Sequence, residues 1–151
     1  MRTDTILNNY LDRMITDYFA NIKDHRDLVY IAFGRRARTR LGSIKQTGGL
    51  EKRSIITING LFRDEAIPKE IINATIAHEL CHFVHGFSSP LPQLVSYPHQ
   101  GGIVDKEMKS RGLGNLLDFQ KKWLKTEWPG IVKANFKPTA RRRRARFIRW
   151  F

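Results

Sequence analysis

The run His78-Glu79-Leu80-Cys81-His82 decides how the chain reads. It has the form H-E-x-x-H and lies in an apolar segment, residues 71–87, whose pattern predicts a helix. On a helix, residues four apart share a face, with Cβ atoms about 5–6 Å apart. Two imidazoles at that spacing can bind one metal ion, and Glu79 projects from the flank of the same face. These residue types at this spacing point to zinc-dependent hydrolysis.

Upstream, Pro68 suits the first helical position and Gly86 suits the stop of the motif helix. Three short β-prone runs precede it: residues 28–33, 40–45 and 54–58, the last two followed by turn-prone Thr47-Gly48-Gly49 and Asn59-Gly60. Before them, Leu7, Tyr10, Leu11, Met14, Ile15, Tyr18 and Phe19 form an amphipathic stripe that predicts a helix over residues 4–22. The fold class is therefore α+β: an N-terminal helix, a small three-stranded sheet, the H-E-x-x-H helix, and helices after it. The run at residues 55–59 is a candidate edge for pairing with an extended substrate.

Downstream, Pro90, Pro92 and Pro98 mark a loop. A helix is expected from about residues 99–102 to residue 111, broken by Gly112 and Gly114. Another is expected over residues 115–128, with Pro129-Gly130 as its stop. Residues 1–138 read as one domain. Residues 139–151 form a basic, aromatic-rich tail that includes Arg141, Arg142, Arg143 and Arg144.

The 151 residues carry 27 Lys and Arg against 14 Asp and Glu, a net charge of +13. Such a balance attracts polyanions: nucleic acid, DNA included, or an anionic membrane surface. Arg35, Arg36, Arg38 and Arg40 are a candidate phosphate-contacting cluster, alongside the tail arginines. The tail's arginines and aromatics suit phosphate pairing and base stacking. The single cysteine, Cys81, rules out an internal disulfide and reads as a small buried apolar residue. With no signal-type or membrane-spanning run, a cytoplasmic monomer is expected.

Two histidines leave a tetrahedral zinc site incomplete. His85 lies on the same face as His78 but about 10 Å further along the axis, so a supporting role suits it better. The metzincin spacing would put a third histidine near residue 89, which is Ser89. His99, after the proline-rich loop, remains as third ligand, with Glu107 as the alternative.

From residue 71 through H-E-x-x-H to His99, Met108 and Gly112-Leu113, the chain resembles the SprT-like metallopeptidases and the related minigluzincins. The likeness covers about residues 28–113. Gln100 and Ile103 depart from the family's usual glycine and aromatic, and a cysteine-rich zinc ribbon is excluded by the lone cysteine. The resemblance implies a zincin-like fold and one Zn²⁺ held by His78, His82 and His99. It also implies Glu79 as general base in the hydrolysis of a protein or peptide substrate. Some relatives act on DNA–protein crosslinks, which makes nucleic-acid-bound protein an expected substrate class. The competing expectation is a nucleic-acid-binding protein with a structural or catalytically silent zinc site.

Overall fold

The computed structural model describes residues 1–138, so the basic tail, with Arg141 to Arg144, lies outside the described residues. Helix α1 spans Asp4–Tyr18 and buries Leu7, Leu11, Met14 and Ile15 on one stripe. It ends four residues short of the helix expected over residues 4–22. Phe19 leaves helical geometry, and the chain continues as 3-10 turns over Ala20–Leu28. Phe19 and Ile22 are buried all the same. Their spacing of three matches the three residues per turn of a 3-10 helix. The Asp4 carboxylate accepts a hydrogen bond from the Phe33 backbone N–H at 3.0 Å, which ties the start of α1 to the sheet.

The sheet contains β1 (Val29–Phe33), β2 (Gly42–Gln46) and β3 (Ser54–Ile58), in the order β1-β3-β2. β3 runs parallel to β1, with Ile31 opposite Ile56, and antiparallel to β2, with Ile44 opposite Ile56. β3 is therefore the central strand. Its backbone is paired on both sides, which overturns the expectation that residues 55–59 offer an edge to substrate. The strand alternates buried Ser54, Ile56 and Ile58 with half-buried Ile55 and Thr57, as a covered central strand should.

The motif helix α2 spans Lys69–Val84. Twelve of its residues, Ile71, Ile72 and Ala74 through Phe83, are buried, so it is enclosed on nearly every face. It packs on the sheet, on α1, and on two later helices, α3 (Ile103–Ser110) and α4 (Gly114–Thr126). Pro68 caps α2 instead of opening it.

The end of α2 governs the course of the loop that follows. Gly86 takes a φ of +86°, Phe87 N–H donates to the His82 carbonyl at 2.9 Å, and Gly86 N–H donates to Phe83 at 3.1 Å. That is a Schellman cap, and only glycine fits its left-handed residue without strain. A side chain there would also meet the Pro92 carbonyl oxygen at 2.2 Å. The cap turns residues 87–98 back along α2. The loop ends in a 3-10 turn over Gln100–Gly102, and α3 starts directly after it.

A last helix, α5, spans Trp128–Asn135. Pro129 sits in its first turn, so the Pro-Gly pair expected to end a helix instead follows the start of one. Phe62 packs edge to face on both Trp123 and Trp128, and the Trp128 indole N–H donates to the Arg38 carbonyl at 3.0 Å. Among the described residues, no helix is long and apolar enough to cross a membrane.

Candidate metal centre

Three histidines converge. His78 and His82 stand one turn apart on α2, and the folded-back loop brings His99 against both. The Nε2 atoms of His78 and His82 lie 3.1 Å apart, and those of His78 and His99 lie 3.2 Å apart. The candidate ligand atoms of the three all fall within 4.8 Å of one another. Nitrogens about 2.0–2.1 Å from a tetrahedral zinc sit ~3.3 Å from each other, so the spacing fits such an ion. His78 and His82 are buried and His99 is exposed, which leaves the cluster open on one side.

The electrostatics suit metal ligation. Burial holds the His78 imidazole well below its ordinary pKa, reinforced by the nearby His82 and His99. Burial pushes His82 down to about 3, with His99 and His85 adding to the effect. His99 is lowered by partial burial, against the opposing pull of Asp105. Neutral imidazoles at neutral pH are the form that binds metal.

Glu79 is fully buried, and neither carboxylate oxygen has a hydrogen-bond partner among the described residues. Burial raises its pKa well above the carboxylate range, and the charge of Arg40 pulls the other way. A buried acid without a partner costs stability, and such groups concentrate at functional sites. Gly42 of β2 passes close to α2 at Thr75. A Cβ built there would lie 2.6 Å from Thr75 Cγ2 and 3.5 Å from Glu79 Oε1. The glycine thus lets an edge strand run close beside α2 at the level of Glu79.

His85 and Glu107 take no part in the cluster. His85 Nε2 meets Glu107 Oε1 at 3.0 Å, and the other oxygen of Glu107 accepts from Arg111 Nε at 3.0 Å. Arg111 also donates to the Tyr18 carbonyl at 2.8 Å and Asn21 Oδ1 at 2.9 Å, and lies over the Phe19 ring. Burial opposes ionisation of Glu107, but the His85 hydrogen bond and the Arg111 charge lower its pKa overall. This tie holds the end of α2 to α3 and α1. Cys81 is buried, and burial pushes its thiol pKa up, so it stays an apolar filler.

The arginine cluster divides. Arg36 donates to the carbonyl and side-chain oxygens of Asn135 at 3.2 and 2.9 Å, and Arg38 donates to the Lys137 carbonyl. Both guanidinium groups face the Phe136 ring. These two hold the end of α5 in place. Arg35 is exposed, and Arg40 is half-buried near Glu79.

Comparison of the chain with protein-family models, curated proteins and solved structures gives no match. The site therefore rests on its own geometry. Sequence reasoning did not bring out Gly42 or the α4 residues beside the histidines, because neither is near the motif in the chain. The only local signal was the apolar face of α4, which reads equally well as core.

Proposed function

We propose that the chain is a zinc-dependent metallopeptidase of the SprT-like kind, with His78, His82 and His99 as ligands and Glu79 as general base. The observation that carries this reading is the convergence of three neutral imidazoles, with Glu79 next to His78 on the same helix and its buried carboxyl group without a hydrogen-bond partner among the described residues. When bound, zinc would act as a Lewis acid on the scissile carbonyl and acidify the attacking water. Glu79, ionised when a cation is bound nearby, would accept the proton of that water as its oxygen bonds to the carbonyl carbon. Glu79 then delivers a proton to the leaving nitrogen as the C–N bond breaks. β2 is the edge strand nearest Glu79 and takes over the substrate-pairing role first given to β3. The net charge of +13 favours substrates carried on a polyanion.

The test is a comparison of wild type with Glu79→Gln for zinc content and casein cleavage. The expected outcome is one zinc in each and a loss of about 10²-fold or more in cleavage by the variant. A second reading, a nucleic-acid-binding module with a catalytically silent site, is favoured by the exposed Arg35 and the arginine-rich tail. It prevails if both proteins hold zinc and neither cleaves protein, with or without DNA.

A further inference from the structure

A cavity of about 290 Å³ opens directly beside the histidine cluster, with His78 and His99 in its wall. That is room for on the order of ten water molecules at about 30 Å³ each, enough for one large side chain. The rest of the wall comes from Gly102, α3 and α4. Val104 and Leu117 are buried, Leu124 is half-buried, and all three are apolar. Gln120 is buried too, with its amide N–H directed at Thr75 Oγ1 at 3.5 Å. At the exposed rim, the Lys121 ammonium meets Asp105 Oδ2 at 2.8 Å, so each charge there is already paired.

We infer that this cavity receives the side chain next to the scissile bond and selects a large apolar residue such as leucine, methionine or phenylalanine. This rests on the metallopeptidase reading for its biological meaning, though the pocket can be probed without turnover. An apolar side chain exchanges water for contact with Val104, Leu117 and Leu124. A carboxylate or ammonium entering the same space would lose hydration among three apolar side chains, with the Gln120 amide as the polar group of the inner wall and the rim charges Lys121 and Asp105 already set against one another. A glycine substrate would leave the apolar wall against water.

The test uses the full chain loaded with zinc and titrated calorimetrically with amino-acid hydroxamates, whose headgroup binds metal. Leucine and phenylalanine hydroxamates should bind at least about tenfold more tightly than glycine and aspartate hydroxamates. Leu124→Trp, which fills the cavity from its half-buried wall, should abolish that preference with zinc content unchanged. Leu124→Ala, which widens it, should shift the preference from leucine towards tryptophan hydroxamate, and serves if the bulkier variant fails to fold. Equal affinity for all side chains in wild type, or an unchanged preference in the soluble variants, overturns the inference. Profiling cleavage of a peptide mixture separates the two proposals. A leucine preference in binding without any cleavage sinks the peptidase and keeps the pocket. Cleavage without side-chain preference does the reverse. A chain that takes up no metal overturns both.

Discussion

At the scale of single residues, the site sets two opposed pH dependences. His78 and His82 are held neutral by burial, so below about pH 6.5 the unfolded chain binds protons that the folded chain refuses. Stability is then lost as pH falls, and for His82 the loss continues down to about 3. Glu79 has the opposite sign. Its folded pKa is raised, so from about pH 4.5 upward the folded chain keeps a proton that the unfolded chain has released. That contribution is lost as pH rises. Each fully titrating group contributes a slope of roughly 1.4 kcal/mol per pH unit. Metal-free protein should therefore be most stable near neutrality, and Glu79→Gln should remove the alkaline decline while keeping the acid one. Urea denaturation in chelator between pH 4 and 9 measures this, and an alkaline decline that persists in the variant would assign it elsewhere. The pair His78 and His82 was legible in the sequence because a spacing of four is a local property of a helix. Glu107 was legible only as a candidate ligand. Its partners are set by where α3 and α1 lie, which no local pattern encodes.

At the scale of elements, α2 depends on close neighbours. Gly42→Ala would set a methyl against Thr75, so β2 or α2 must shift, at a cost of about 1–3 kcal/mol. Gly48 has open space around it, and Gly48→Ala should leave stability within about 1 kcal/mol of wild type. Chemical denaturation of the two variants checks the contrast; equal costs would show that the approach of β2 to α2 is loose. Glu107→Ala leaves the buried His85 without its acceptor and should destabilise by about 1–3 kcal/mol. It should also weaken zinc binding, because α3 anchors the turn that follows His99. Strong zinc binding in a destabilised Glu107→Ala would confine its role to stability. Element types were largely legible, since the stripe of α1, the span of β3 and the length of α2 are periodic features. Two boundaries were not. Pro129 serves a helix start as well as a helix stop, and the apolar positions Phe19 and Ile22 suit 3-10 spacing as well as α-helical spacing.

At the scale of the whole molecule, a bound ion would join α2 to the segment that opens α3, two regions tied elsewhere by the His85–Glu107 contact. Zinc at a thousand times its Kd should add about 4 kcal/mol of stability. Differential scanning calorimetry should show a higher Tm with zinc, reversed by chelator and smaller in His99→Ala. An equal shift in His99→Ala would remove His99 from the ligand set. The α+β class could be read from the chain, because it follows from the succession of periodic segments. The strand order could not. Nothing within Ser54–Ile58 says that it will slot between two earlier strands, and the substrate-edge expectation failed on that point. That same order has a consequence for synthesis. The ribosome delivers both outer strands before the one that must lie between them. Until Ile58 has emerged, β1 and β2 have no partner, and α1 has only the unpaired β1 to rest on. A nascent chain paused before residue 54 presents two unpaired strands to its surroundings, which is the state most open to wrong pairing. The motif helix follows, and His99 emerges about forty residues after Ile58 but ahead of α3, α4 and α5, so the three histidines are all delivered before the helices that wall the neighbouring cavity.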